Sequence, residues 1–500
     1  MPALPGAGDL PAPRRLSALL AGLGQGLLQR DEAVHLALLA ALAGEHVLLI
    51  GPPGTAKSAL ARRLHHAFTD ARYFERLLTR FSTPEELFGP LSLKALEHDR
   101  YERLTDGFLP TAGIAFLDEV FKANSAILNA LLTLLNERLF DNGTERLAVP
   151  LVAVVGASNE VPADEALHAF YDRFLVRVPV APVSDDAFAE LLALDASAAA
   201  PALTAPLTAP ERDAVARAAA GVALGDGFTT ACTTLRAWLA ERKAPLSDRR
   251  WRQIVGLART AAATEGRTQL DGVDLWLAPF VASAAPADVG PLRAWFEDQV
   301  LALPGPAAPW LERAVEAFEK QLGLEQRMPA EGAGAADDSA GKLGVARTIG
   351  LGEGVADQWG NAGAGMQRIL SERLEARLAK RWGAVHVQAR VAQVTEIEAQ
   401  VAQARGAALA ASDALAAALA QRLWVPGSLA RRWQARHHAA LQMLESFAVR
   451  LAMVRAGFAA LPVDEAVDSE TPAPVPLEPS ETMEPPEPLK AASAGEPVAA

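Results

Sequence analysis

Apolar residues recur along this chain with two distinct patterns. Between Ser17 and Gly44, Leu20, Leu23, Leu27 and Leu28, then Leu36, Leu38, Leu39 and Leu42, return at helical spacing, which predicts two helices. Short apolar runs follow at 47–50, 114–117 and 151–156, and a strand-like one, interrupted by Arg177, at 175–180. Continuous runs of that length suit strands buried on both faces of a parallel sheet. Residues 72–81 suggest a further strand, and 59–67 and 121–140 read as helices, the second with Ile127, Leu128, Leu131, Leu132 and Leu135 on one face. Thr83-Pro84-Glu85-Glu86 has the proline and early acids of a helix start. Asn142-Gly143 marks a hairpin between Leu139-Phe140 and residues 147–151. Strands alternating with helices predict an α/β fold.

Beyond residue 197 the pattern changes. Residues 197–210 form an alanine, proline and threonine linker, and 211–286 read as helical. Pro304 to Gln326 holds one amphipathic helix with Trp310, Leu311, Val315 and Phe318. Residues 323–365 contain eleven glycines and few large apolar side chains, which predicts a flexible linker. Leu370, Leu374, Leu378 and Trp382 predict a helix over 367–382, and Val391, Val394 and Val401 one over 390–423. Leu441, Leu444, Phe447, Leu451, Val454 and Phe458 form the stripe of another long helix, so this region reads as a helical hairpin or bundle. The proline-rich stretch from Pro462 is expected to be disordered.

Chemistry enters at the ends of the apolar runs. Residues 47–58, VLLIGPPGTAKS, fit the phosphate-cradling pattern G-x-x-x-x-G-K-[ST]. Gly51, Pro52, Pro53, Gly54, Thr55 and Ala56 form the loop, in which Gly51 and Gly54 let backbone N–H groups turn inward. Lys57 reaches the β- and γ-phosphates in such a loop, and the Ser58 hydroxyl holds Mg²⁺. The bland alternative is a glycine turn before a helix. The run 114–117 ends in Asp118-Glu119, two carboxylates at a strand's C-terminal edge. Asp118 suits Mg²⁺, directly or through water, and Glu119 an attacking water. Asn159, after the run 151–156, suits the γ-phosphate, the attacking water or a plain helix cap. Arg173 follows Asp172, with which it can pair, or it can reach a neighbouring subunit's nucleotide. Arg249 and Arg250, at a helix start in Ser247-Asp248-Arg249-Arg250-Trp251, leave open which one turns to the γ-phosphate.

Composition narrows the partners. Five hundred residues predict about three domains. The formal charge is −13, and residues 461–500 carry nine acids against Lys490, leaving a body only mildly acidic, without a basic footprint for nucleic acid. No run has the ~18–20 apolar residues of a transmembrane segment, and the stretch after Arg14-Arg15, interrupted by Gln25, does not predict a secretory signal. A lone cysteine, Cys232, excludes an intramolecular disulfide framework and fits a cytoplasmic setting. The cluster Arg431, Arg432, Arg436, His437, His438 reads as a solvated helix face, or as a site for an acidic partner.

Taken in order, these motifs resemble the MoxR branch of the AAA+ ATPases and, within it, the RavA-type regulatory ATPases. The carriers, over roughly 12–300, are GPPGTAKS at 51–58, FSTPEELFGP at 81–90, FLDEVFKANSAILNALLTLLNER at 116–138, ASNEVP at 157–162, YDRFLVRVPV at 171–180 and SDRRW at 247–251. The resemblance implies a Walker A loop at 51–58, Walker B at FLDE, sensor 1 at Asn159 and an arginine finger at Arg173. It implies sensor 2 at Arg249, whose spacing from Ser247 matches the family, with Arg250 the runner-up. Residues 90–108 fall where the family has an insert, and the Asn142-Gly143 hairpin where it has a pre-sensor hairpin.

The fold so implied is an AAA+ P-loop core with a parallel αβα sheet over 12–195, an all-α lid over 196–300 and a C-terminal all-α region over 301–322 and 366–460. A glycine-rich linker at 323–365 and an acidic tail at 461–500 complete it. The function implied is ATP hydrolysis with Mg²⁺ in a hexameric homo-oligomer. Its output is remodelling of a protein client, or loading of a metal or cofactor into one, together with a von Willebrand factor A-domain partner. RavA-type proteins can also carry a β-rich domain that binds a decarboxylase, and no alternating strand pattern between 330 and 440 supplies one here. The alternatives on the same core are a nucleotide-dependent assembly scaffold and a nucleic-acid motor.

Overall fold

The computed structural model describes residues 10–69, 71–164, 167–194, 203, 205–303, 308–328, 381–464 and 471–476. Its centre is a five-stranded parallel sheet in the order β2-β3-β6-β1-β7. These strands are β1 (His46–Ile50), β2 (Tyr73–Leu77), β3 (Ile114–Asp118), β6 (Ala153–Ser158) and β7 (Phe174–Pro179), while β4 (Leu139–Asn142) and β5 (Glu145–Ala148) form a separate hairpin. The unbroken runs alternate between two cores. Val47 and Leu49 of β1 join Phe116, Val155 and Val176 in one, and Leu48 and Ile50 join Leu117, Val154 and Phe174 in the other. Successive strand residues point to opposite faces, so burial on both sides favours apolar residues throughout, with buried His46 and Arg177 hydrogen-bonded exceptions.

Helices α1 (Pro13–Gly24), α2 (Asp31–Ala43) and α3 (Lys57–His65) contribute to the first core. Helices α4 (Pro84–Phe88) and α6 (Ser125–Glu137) contribute to the second, and α5 (Leu93–Leu96) is a single turn between them in sequence. The helix expected over 121–140 is shorter. A 3₁₀ turn at Val120–Lys122 comes first, and Asn124 caps α6 by accepting from Ile127 N–H at 3.1 Å. In the hairpin Asn142 pairs with Glu145, so Gly143, at φ +69°, is the first of two turn residues. The Asn142 side chain leaves the turn to accept from Arg103 N–H at 2.7 Å, which ties the hairpin to the segment at 90–108.

After α7 (His168–Tyr171) and α8 (Asp185–Ala193), the lid is built from α9 (Ala209–Ala220), α10 (Asp226–Glu241), α11 (Asp248–Thr264), α12 (Ala278–Val281) and α13 (Val289–Gln299). Helix α9 starts inside the expected linker, capped by Thr208 and Glu211. A two-residue parallel pair, β8 (Ala223–Leu224) with β9 (Gln269–Leu270), joins the segments that follow α9 and α11 and had no strand-like run to announce it.

The chain forms two compact units, and residues 413–436 belong with the first. The second contains α14 (Ala308–Arg327) and the greater parts of α15 (Ala384–Ala420) and α16 (Gly427–Ala459). Its core gathers Leu311, Val315 and Phe318 with Val394, Val401, Phe447, Leu451 and Phe458. Pairs Arg405–Glu445 at 2.6 Å and Arg455–Glu398 at 3.1 Å require α15 and α16 to run antiparallel. Among the described residues no helix is long and apolar enough to cross a membrane.

Three expectations change in this second unit. Helix α14 continues through residues 323–327 of the expected linker, because Glu325 is buried there against Arg390 at 2.8 Å and His386 at 3.0 Å. Trp382, expected to end a helix, instead lies in a short extended bridge with Val463, and 367–380 lies outside the described residues. The tail is not uniformly free: Val475 is buried, and Ala473 O accepts from Arg390 Nη1 at 2.8 Å. The remainder of the linker and tail lies outside the described residues.

His46, buried in β1, accepts from Val154 N–H at 3.0 Å through Nδ1 and lies 3.2 Å from Leu135 O through Nε2, so it is neutral with its proton on Nε2. Burial, with a smaller contribution from the charge of Arg138, holds its pKa at about 3 against an ordinary 6.5. The unfolded chain therefore binds a proton that the fold refuses, and stability is lost as pH falls from 6.5 towards 3, at about 1.4 kcal/mol per pH unit. Urea titrations of the wild type and His46→Gln should show their stability gap narrowing as pH drops through that window. A gap independent of pH would remove His46 from the account.

Candidate nucleotide site

The site lies at the C-terminal edge of the sheet, where three neighbouring strands end in register. Ile50 of β1 pairs with Ser158 of β6, and Leu117 of β3 with Gly156. Each chain then leaves its strand carrying a polar group: the glycine loop after β1, Asp118-Glu119 at the end of β3 and Asn159 after β6. Gly51 donates its N–H to Ser158 O at 3.0 Å, and a Cβ built on it would stand 2.1 Å from Val180 O. No side chain fits there. Gly54 and Ala56 take left-handed φ values of +79° and +65°, giving the loop its curl.

Helix α3 begins at Lys57, so the N–H groups of its first turn face the inside of the loop. Lys57 is buried and folds back over the loop, donating from Nζ to Gly51 O at 2.7 Å and Pro52 O at 2.8 Å. Burial lowers its pKa, while Asp118 and Glu119 oppose the shift. Thr55 Oγ1 closes the turn by donating to Pro52 O at 2.9 Å. Pro53 and Ser58 occupy the loop tip and the first turn of α3.

Asp118 accepts from the Glu119 N–H at 3.0 Å, and Glu119 itself sits in a left-handed conformation, φ +50°. That backbone costs energy for a non-glycine residue and turns the side chain away from the strand direction. Asn159 Nδ2 donates to Glu119 Oε1 at 2.6 Å, and Lys122 Nζ stands 3.2 Å from Oε2. The expected water-orienting carboxylate and the expected sensor amide thus touch directly, and no helix follows Asn159 for it to cap. A cavity of about 730 Å³ beside Glu119 and Lys122 gives solvent a way to the carboxylate. One hydroxyl from Ser58 and one carboxylate from Asp118 are oxygen donors of the kind that would suit a magnesium ion completed by phosphates and water. Among the described residues no three His, Cys, Asp or Glu side chains converge as a metal centre of their own.

The arginines divide into two kinds. Arg250 is buried and fully engaged: Nη1 donates to Asp172 at 2.8 Å, Nη2 to Leu175 O at 2.9 Å and Nε to Val281 O at 2.6 Å. It pins α11 to β7 with a buried side chain and three engaged donors, which speaks against its place among the nucleotide-binding candidates. Arg249 is exposed and, among the described residues, donates to Asn136 Oδ1 alone, at 3.2 Å. Arg173 makes no pair with Asp172, whose carboxylate serves Arg250 and lies 3.6 Å from Arg177. Instead Arg173 Nε is buried with no acceptor among the described residues.

Two side chains were not singled out from the sequence. Lys122 is the cation beside Glu119. Arg30 is buried at the N-cap of α2 and donates to Thr55 O at 3.1 Å and Ala181 O at 2.7 Å, joining the loop to the strand end beside it. A cation at a helix N-terminus opposes the dipole, and that anomaly just before Asp31-Glu32 was the available signal.

Residues 14–207 match the model described as the MoxR domain in the MoxR-vWA-beta-propeller ternary systems, and residues 229–296 match that of an AAA lid domain. The chain belongs to the MoxR family of AAA+ ATPases. Two uncharacterised proteins of Methanocaldococcus jannaschii are similar to its MoxR part, one 53% identical over 164 residues and one 56% identical over 151. The alignments cover 33% and 30% of this chain and 43% and 40% of those proteins, so the chain spans about two fifths of the relatives it matches. A structural protein of Acidianus two-tailed virus is 31% identical over 178 residues, 33% of this chain and 28% of its own length. The crystal structure of a proposed ATPase from Cytophaga hutchinsonii aligns with TM-score 0.47 at 16% identity, covering 57% of this chain and 93% of that one.

The two neighbouring arginines of the MoxR lid should separate cleanly on substitution. Arg250→Ala strands Leu175 O and Val281 O in the interior and should cost about 2–4 kcal/mol. Arg249→Ala should stay within about 0.5 kcal/mol of the wild type. Chemical denaturation of both variants checks this, and equal stabilities would mean that Arg250 is not a strut.

Proposed function

We propose that the chain hydrolyses ATP, with Glu119 orienting the attacking water and Asn159 holding Glu119 in place. The 2.6 Å contact between Asn159 and Glu119 beside the phosphate-type loop carries this reading. Lys57 places positive charge where the β- and γ-phosphates of a loop-bound nucleotide lie, and the loop N–H groups bind them. Magnesium held by Ser58 and Asp118 supplies further neutralisation of phosphate charge when bound. Arg249, exposed on α11, is the sensor 2 of this scheme, and Arg250 positions the helix that carries it.

Arg173 is the arginine finger, and it acts on the nucleotide of the next subunit in a ring. Its Nε has no acceptor among the described residues, and Asp172 is otherwise engaged. We further propose a hexameric ring, a von Willebrand factor A-domain partner and a protein client that the ring remodels or matures. The motif strings shared with RavA-type proteins support this, and so does the matched family description, which names vWA and β-propeller companions.

Steady-state hydrolysis with parallel nucleotide binding tests the chemistry. Glu119→Gln should lower turnover about 10²–10⁴-fold and leave ATP binding intact. Arg173→Ala should lower turnover about 10³-fold or more with binding likewise retained. Undiminished turnover in Glu119→Gln overturns the catalytic assignment, and loss of binding in Arg173→Ala would make that residue structural.

A further inference from the structure

A second cavity, of about 410 Å³, opens on the β7 side of the loop. Its walls are residues 29–33 at the start of α2, residues 178–182 at the end of β7, and Ser428 and Arg431 in the opening turns of α16. Arg30 links it to the loop through Thr55 O and to β7 through Ala181 O. The sheet order places Asp118, Glu119 and Asn159 on the opposite side of β1, with β6 and β3. A nucleotide whose terminal phosphate meets those groups extends its nucleoside towards β7, where this cavity lies.

Ser428 and Arg431 are held there from both sides. Before them, Arg422 is paired with Asp271 and Asp274, and Trp424 Nε1 donates to Thr264 Oγ1 at 2.7 Å. After them, Arg432 Nε lies 3.0 Å from Glu297, and buried Trp433 donates to the same carboxylate at 3.3 Å beside the Phe296 ring. Arg436 lies 3.4 Å from Glu297. The basic cluster of the sequence is therefore largely neutralised within the fold, and Arg431 is its exception. It is exposed, lines the cavity and has no hydrogen-bond or ion-pair partner among the described residues.

We propose that this cavity takes the adenosine end of bound ATP and that Arg431 closes over the base as a nucleotide-affinity determinant. This rests on the nucleotide reading above and adds a residue outside both family-matched stretches, 14–207 and 229–296. A planar guanidinium stacks on a purine face, and its free donors serve ribose oxygens. The segment that opens α16 then senses whether a nucleoside is present, not only whether phosphate is.

Calorimetric titration of the full chain with ADP and, separately, inorganic tripolyphosphate tests this. Arg431→Ala should weaken ADP binding about tenfold and leave tripolyphosphate within about twofold. Ser428→Trp, which fills the cavity, should show the same selectivity, whereas Lys57→Ala should weaken both ligands. Unchanged ADP affinity in Arg431→Ala and Ser428→Trp overturns the inference while the nucleotide reading stands. Equal weakening of both ligands also overturns it, because Arg431 would then act only as a distant charge. If the wild-type chain binds neither ligand, the nucleotide reading itself fails and takes this inference with it.

Discussion

Gly51 is the point on which the site depends. Its N–H is bonded to Ser158 O, and a Cβ there would collide with Val180 O at 2.1 Å. The loop is thereby fastened between β6 and β7 at the moment it leaves β1. That fastening fixes the distance from the loop to Asn159 on one side and to the cavity near residue 180 on the other. A parallel sheet supplies this economy because all its strands end at the same edge. The register of β1, β6 and β3 thus decides the positions of Lys57, Asp118, Glu119 and Asn159 together.

Burial then sorts the cations. Arg30, Arg177 and Arg250 are inside, and each spends its donors on carbonyl oxygens that turns and strand ends would otherwise leave unpaired. Arg177 also lies over the Tyr171 ring at 3.8 Å, and burial lowers its pKa to about 10. These three are struts. Arg249 and Arg431 are exposed, and Arg173 keeps an unsatisfied donor; these three remain for ligands or neighbours. In the motif YDRFLVR, then, nearby charges have different tasks: Asp172 and Arg177 hold the lid, and Arg173 takes no part in that network.

Much of the core was legible in the sequence because its signals are local. A strand buried on two faces is mostly apolar, and a phosphate loop needs its glycines, lysine and hydroxyl within eight residues. The choice between Arg249 and Arg250 was not legible. It depends on Asp172, Leu175 and Val281, which only folding brings beside α11. Arg30 was hidden for the same reason, since two of its three acceptors, Thr55 O and Ala181 O, are carbonyls distant in sequence. The left-handed Glu119 follows from its bond to Asn159 and from the turn into the 3₁₀ segment, which no propensity records. In the C-terminal unit composition misled most. Helix α14 persists into a glycine-rich stretch because Glu325 has two buried partners, and a proline-rich tail is held where Val475 finds a core.

The central claim is that one chain holds half of a catalytic site and its neighbour the other half. Mixing two inactive variants tests it most directly: Lys57→Ala, lacking the loop cation, with Arg173→Ala, lacking the finger. At an interface where the Arg173→Ala chain supplies the loop and the Lys57→Ala chain supplies the arginine, every group is present. Hydrolysis should reappear on mixing, at a level well above the sum of the separate variants. Two variants that form mixed assemblies but stay inactive together would contradict the account.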